Sequence, residues 1–395
     1  MKENPNFDFY NFNLPQNEQK EQQHTPDEPT VTKPTEPFSS RRAACSTAFI
    51  PPTRPSADLL QRARHAYSRA GWALSVMLLV WYAGSFIAQI IGLFVLPAWL
   101  GMSVEELGTH PIFLTLTSTL PLYVFGLPAL ALILMGLPAE RPQKQRFGVG
   151  KFILAFFIAV GVASVGNVVG NTLMSVIGGL SGYEFSNMLE QTLDMPLWLN
   201  LVCAVVLAPI FEELIFRKLL MDRLRPYGEL GAIVMTSLLF GAIHTNFYQF
   251  FYAALLGALF SYVYLRSGKV WVTMLLHALF NLFGGVLPHL LMQKFDVDAL
   301  FAAADEMEMM SLIFENLDGF LLFGLYELLY YSLAAVGLIL LLVFRKRLFL
   351  VPTRDELPRT WRARPMFGNA GVIFALTFCA VLFLMVMINT AQPLI

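Results

Sequence analysis

The sequence predicts an all-α fold, a polytopic transmembrane helical bundle of about nine spans behind a disordered N-terminal tail. Three observations carry that expectation. Of the 395 residues, 56% are hydrophobic and only 14% charged, with mean hydropathy +0.58; a soluble domain carries about 25% charged residues. Apolar runs long enough to cross about 30 Å of hydrocarbon recur along the chain. Lys and Arg cluster in alternate loops.

Residues 1–65 are rich in Pro, Gln, Glu, Asn and Thr without sustained periodicity and are expected to form a disordered cytoplasmic tail. The first apolar run begins near Gly71, too late for the h-region of a cleavable signal peptide. The expected spans are Trp72–Leu96, Phe113–Gly136, Phe152–Ile177, Leu197–Leu220, Leu230–Thr245, Phe247–Leu265, Val270–Leu291, Gly319–Phe344 and Ala370–Ile388. The fifth and sixth are short and parted only by a polar pair at Thr245–Asn246. Four regions result: the tail, N-terminal membrane helices over 66–196, a core over 197–291 and C-terminal membrane helices over 292–395.

Basic clusters precede the first span and recur at Arg141–Lys151, Arg217–Arg225, Arg266 with Lys269, and Arg345–Arg364. The intervening loops are acidic or neutral, from Glu105 and Glu106 to Glu184–Asp194 and Asp296–Asp318. This alternation puts the N-terminus in the cytoplasm and the C-terminus outside, in a membrane expected to be a bacterial cell membrane. A net charge of -1 names no partner, and nothing points to nucleic acid. Cys45, Cys203 and Cys379 are too few and too scattered for a disulfide framework or a thiolate zinc site.

The chemistry concentrates in the core. Glu212 and Glu213 stand side by side in one of the most apolar stretches, with Arg217 four residues on. A charged group at the bilayer centre costs about 2.5–3.5 kcal/mol on insertion scales, so such groups pair, face a wet cavity or do chemistry. Adjacent helical residues point about 100° apart, so the two carboxylates face differently. Glu213 and Arg217 have the spacing of an ion pair along one face, which leaves Glu212 to look elsewhere. Pro209 favours a kink close by. Phe240 and His244 share a second helical face, and His277 and Asn281 a third. A desolvated carboxylate is a competent general base near neutral pH, imidazoles share protons or bind metal, and an amide is an oxyanion donor. The set suits water attack on a peptide carbonyl.

These motifs resemble the signature of the CPBP family, the CAAX prenyl endopeptidases of the Rce1 type and the bacteriocin-processing and self-immunity proteins. That signature is Glu-Glu-x-x-x-Arg, Phe-x-x-x-His and His-x-x-x-Asn on successive membrane helices. Here it is met by Glu212-Glu213 with Arg217, by Phe240 with His244, and by His277 with Asn281. The resemblance covers Leu197–Leu291. It implies that Glu212 with His244 activates water, that His277 with Asn281 stabilises the oxyanion, and that Glu213 and Arg217 support the site. The substrate it implies is a membrane-anchored, prenylated or amphipathic peptide or protein within the lipid bilayer. Glu212, His244 and His277 are also a sufficient ligand set for a divalent zinc, although the His-Glu-x-x-His spacing of soluble zinc proteases is absent. Metal-free acid–base chemistry is the preferred expectation, and no cofactor is required by the residues.

Simpler roles compete with these. Glu213–Arg217 is as well explained as a structural lock. His289, near the end of its span, is expected at the interface, and Glu327 to bond a neighbouring helix or line a substrate path. Asn167 and Asn171 are expected to bond between helices, and the pairs Gly178–Gly179 and Gly284–Gly285 to mark close helix contacts. A transporter using intramembrane Glu and His, or a non-catalytic immunity or scaffold protein, are the alternatives to a protease. No second copy of the site argues for the internal repeat of a transporter.

Overall fold

The computed structural model describes residues 54–187, 195–294, 300 and 305–393, and the tail before residue 54 lies outside them. Among the described residues eight helices are long and apolar enough to cross a membrane. They are α1 (Ala57–Leu100), α3 (Pro111–Leu134), α4 (Val149–Ser181), α5 (Leu197–Tyr227), α7 (Phe247–Ser267), α8 (Val270–Met292), α10 (Leu317–Arg347) and α12 (Ala370–Thr390). Between α5 and α7 stands α6 (Glu229–Ala242), apolar but only 14 residues long. At 1.5 Å per residue it reaches about 21 Å, short of the hydrocarbon thickness. The expected fifth span is therefore a partial one, and the count of about nine is eight full helices plus this one. Short helices α2 (Val104–Thr109), α9 (Glu306–Glu315) and α11 (Arg359–Phe367) complete the helical elements used below.

One boundary differs from the sequence expectation. Residues 57–65, assigned to the tail, are the first turns of α1, capped by the Ser56 hydroxyl on the Leu59 N–H. Ala63, Ala66, Tyr67 and Ala70 form a buried stripe at helical spacing against Tyr227, Leu357 and Met366. Arg62, Arg64 and Arg69 interleave with that stripe and conceal it from a hydropathy reading.

Three membrane helices contain a widened, π-helical stretch at Leu122–Gly126, Leu201–Leu207 and Leu282–Val286. Each ends two residues before a proline, respectively Pro128, Pro209 and Pro288. Proline has no N–H and its ring collides with the carbonyl four residues back, and a wider turn relieves both. A fourth π-helical stretch, Leu214–Met221, carries Arg217.

The basic loops gather at one end of the bundle. Arg225 reaches Glu140 at 2.7 Å, the Gln145 N–H donates to the Ser267 carbonyl at 2.9 Å, and Arg266 pairs with Glu229. Asp222 accepts from Lys218 at 2.8 Å and from the Tyr264 hydroxyl at 2.7 Å. The segment after α10 crosses this end as an extended strap. The Val351 N–H donates to Glu229, those of Asp355 and Leu357 to Pro226 and Tyr227, and Asp355 pairs with Arg62. At the other end β1 (Tyr183–Phe185) pairs antiparallel with β2 (Ala391–Pro393), Tyr183 opposite Pro393.

Close backbone crossings set the packing. A Cβ on Gly337 of α10 would stand 1.8 Å from the Phe157 carbonyl oxygen of α4, and one on Gly371 of α12 would stand 1.9 Å from that of Ser68 in α1. These glycines, rather than the Gly-Gly pairs, make the close helix contacts: Gly179 and Gly285 have nothing within 4 Å. Asn171 donates to the Asn167 side chain at 2.8 Å within α4, so that pair is not an interhelical bond.

Candidate active site

Glu212 and Glu213 lie where a short regular α-helical piece, Ala208–Glu213, joins the two π-helical stretches of α5. Their carboxylates have different surroundings. Glu213 and Arg217 are both withdrawn from solvent and pair at 2.9 Å from Nε to Oε2. The second Glu213 oxygen lies 3.3 Å from His277 Nδ1, and the Thr273 hydroxyl sits beside the same carboxylate. Arg217 also donates to the Ser261 hydroxyl at 2.8 Å, which meets the Thr236 hydroxyl at 3.2 Å, and its guanidinium lies over the Phe240 ring. One buried charge is thus paired, and a further Arg217 donor ends on the α7 hydroxyl of Ser261, which in turn meets Thr236 of α6.

Glu212 is the unpaired member. Its Oε2 is buried without a hydrogen-bond partner and stands 3.9 Å from His277 Nε2. His277 therefore lies between the two glutamates, Nδ1 towards Glu213 and Nε2 towards Glu212. A carboxylate only accepts, so the Glu213 contact places a proton on Nδ1 and turns Nε2 to the Glu212 side. Tyr123 and Tyr252 lie within electrostatic reach of Glu212, and Tyr123 stacks on Phe211 at 3.8 Å between ring centroids.

His244 is carried just past the end of α6, in the turn to α7. Its Nδ1 is 2.8 Å from the Phe240 carbonyl, which can only accept, so Nδ1 holds a proton and the carbonyl leaves Nε2 unused. The Asn246 side chain donates to the His244 carbonyl at 3.0 Å while capping α7. Between them Thr245 adopts φ 53°, a conformation a β-branched residue rarely takes. The Phe240 ring meets both imidazoles edge to face, with ring centroids 5.3 Å from His244 and 5.9 Å from His277.

The sequence-selected residues thus fall into groups. Glu212, Glu213, Arg217 and His277 make one contiguous cluster. His244 adjoins it across Phe240, and the Glu212 contact is with His277 instead. Asn281 donates its amide to the Ala204 carbonyl in α5 at 2.8 Å, binding the first motif helix to the third. His289, expected at an interface, is buried and bonds to Gln293 at 2.9 Å. Glu327 bonds to Tyr331 on its own helix rather than to a neighbouring one. Among the described residues no three His, Cys, Asp or Glu side chains come together as a metal centre. Glu212, His244 and His277 do not form such a group.

Sequence reasoning did not select Thr236, Ser261 and Thr273, the hydroxyls that satisfy the buried pair. Thr273 precedes His277 by one helical turn, a legible signal, whereas Ser261 and Thr236 come from helices whose relative depth the sequence does not specify.

A family model described as "Type II CAAX prenyl endopeptidase Rce1-like" matches residues 194–283, the span that holds every residue of this cluster. The membrane core is thus similar to the Rce1-like branch of the CPBP family. Over 166 residues the chain is also 25% identical to "Putative membrane peptidase YdiL" of Bacillus subtilis (strain 168), a match covering 41% of this chain and 67% of that one. No solved structure matches. The similarity is to membrane peptidases, and the apolar helices make this an integral multi-pass membrane protein.

Proposed function

We propose that this CPBP protein is an intramembrane endopeptidase that hydrolyses a peptide bond of a membrane-anchored, prenylated or amphipathic substrate, with Glu212 as general base. The observation that supports this most is the Glu212 oxygen, buried, without a hydrogen-bond partner and 3.9 Å from His277 Nε2. A buried acceptor left unsatisfied costs about 1–3 kcal/mol, more when charged, a cost a purely structural residue has no reason to bear. A water placed between Oε2 and Nε2 donates to both.

From that position Glu212 takes one proton from the water, and its oxygen adds to the carbonyl carbon. The tetrahedral intermediate collapses by cleaving the C–N bond as the proton passes to the leaving nitrogen, which regenerates the carboxylate. Glu213 and Arg217 hold the His277 ring in place. His244 Nε2 is a second basic nitrogen for the proton on its way to the amine. The second amide N–H of Asn281 is the donor for the carbonyl oxygen.

The experiment is a comparison of the purified protein with Glu212→Gln, both shown folded in detergent, on prenylated and unmodified peptide pools read by mass spectrometry. Fragments made by the unaltered protein alone are the expected result. Uncut pools from both, or fragments equally from both, count against the proposal.

A further inference from the structure

A cavity of about 500 Å³ lies away from the glutamates, where the start of α1 meets the start of α12, lined by Asp58, Arg62, Arg64, His65, Ser68 and Asn369 among others. Its depth relative to the bilayer follows from the packing around it. The Gly371 N–H donates to the Ser68 hydroxyl at 3.2 Å, which sets Ser68 level with the first residues of α12. From Ala370 onward α12 is apolar, and Trp72 stacks on Phe374 with centroids 4.8 Å apart. Ser68 and Gly371 therefore mark the edge of the hydrocarbon, with Trp72 just inside it as an interfacial anchor.

His65, Arg64 and Arg62 precede Ser68 by three, four and six residues, so they stand about 4.5–9 Å further out along α1. The polar headgroup layer occupies about 5–7 Å on each side of the hydrocarbon, so these side chains are at the level of lipid phosphates.

The charges are not equivalent. Arg62 is occupied by Asp58 at 3.0 Å and Asp355 at 3.2 Å, which together overbalance it. Arg64 and His65 are exposed and, among the described residues, carry no ion pair. The Asn369 amide is spent on Pro365 and Met366, so it shapes the cavity rather than binding in it. Beside this site α11 presents Arg359 and Arg364, and Arg54 lies 5.5 Å over the Trp361 ring. A roomy cleft with a free guanidinium and an exposed imidazole at headgroup height, flanked by a basic helix with an interfacial tryptophan, has the character of a site for an anionic lipid headgroup.

We propose that this cavity binds a phosphate group through Arg64 and His65, and that the phosphate is that of an anionic phospholipid in the surrounding leaflet. The α10–α11 strap, held to Arg62 through Asp355, brings the basic α11 to the same headgroup, so the lipid seals the crossing of α1 and α12.

The test is native mass spectrometry of the full chain in detergent with equimolar phosphatidylglycerol and phosphatidylcholine, with and without millimolar inorganic phosphate. It is run on the unaltered protein, Arg64→Ala/His65→Ala and Arg64→Lys. The expected result is a preference for phosphatidylglycerol of about tenfold, on the scale of two basic groups near a membrane surface. The double variant loses it, while Arg64→Lys keeps most of it. Insensitivity to inorganic phosphate assigns the site to lipid. Competition by inorganic phosphate, with a Tm increase on adding phosphate only in the unaltered protein, supports the phosphate chemistry but overturns the lipid as its source. Equal retention of both lipids without a phosphate-dependent Tm shift, or a preference unchanged in the double variant, overturns the site. Both residues are exposed, and a size-exclusion profile checks that the variant is folded.

Discussion

Glu213 and Arg217, one helical turn apart, form an ion pair in which neither side chain reaches solvent, joined at 2.9 Å. Removing one partner leaves the other charge buried and alone, which costs about 3–5 kcal/mol. Arg217→Ala should therefore lower the unfolding midpoint in detergent sharply. Glu213→Ala/Arg217→Ala should be less destabilised than the two single variants summed. Strict additivity in that double-mutant cycle would show that the pair is not energetically coupled.

Glu212 should behave in the opposite way to its neighbour. Glu212→Gln keeps the shape and removes the charge from an oxygen that has no hydrogen-bond donor. Its thermal stability is expected to equal or exceed that of the unaltered protein, while peptide cleavage falls by about 10²–10⁴-fold, the usual contribution of a general base. A midpoint lowered as far as in Glu213→Ala would make Glu212 a structural residue as well.

Two glycines of α10 separate packing from propensity. Gly337→Ala drives a Cβ to 1.8 Å from the Phe157 carbonyl, whereas Gly324 has nothing within 4 Å. The first substitution should cost about 1–3 kcal/mol by overpacking. The second should be neutral or stabilising by up to about 1 kcal/mol through helix propensity. Unfolding midpoints of the two variants compare them directly, and a tolerated Gly337→Ala would mean that α4 and α10 separate easily.

One pH effect lies outside the membrane helices. Ser103 and Glu106 form a reciprocal cap at the start of α2, and the Ser103 hydrogen bonds hold the Glu106 carboxyl below the ordinary carboxylate range. A depressed folded pKa means that this contribution is complete above the unfolded value and is lost as pH falls through the folded one. Protection factors of the amides of residues 104–107, corrected for the intrinsic pH dependence of exchange, should fall only at acid pH, and that fall should be absent in Glu106→Gln. A loss of protection beginning near neutrality would assign it to another group.

Much of this molecule was legible in its residues. Bilayer-length apolar runs located the long helices, and the spacing of Glu213 with Arg217 and of Phe240 with His244 follows from helical periodicity. What escaped had physical causes. The first turns of α1 bury alanines and a tyrosine between arginines, and a stripe of small residues leaves little trace in hydropathy. By residue count alone His244 sits deeper than Glu212, and the sequence expectation paired the two. The shortness of α6 and the turn at Thr245 leave His244 across Phe240, while His277 takes the place beside Glu212. Asn281 looked free because nothing in its own helix announces the Ala204 carbonyl of another.

The strap after α10 carries a consequence for biogenesis. The carbonyls of Pro226 and Tyr227, in the connection between the Glu212 helix and the His244 helix, receive their donors from Asp355 and Leu357. Those donors are encoded more than 70 residues after Asn281, the last of the motif residues. At 5–20 residues per second, translation reaches them about 4–15 s after the motif has been made. Until then the connection is held by Arg225 to Glu140 and Arg266 to Glu229, and a chain truncated before the strap carries every motif residue without the donors of Asp355 and Leu357.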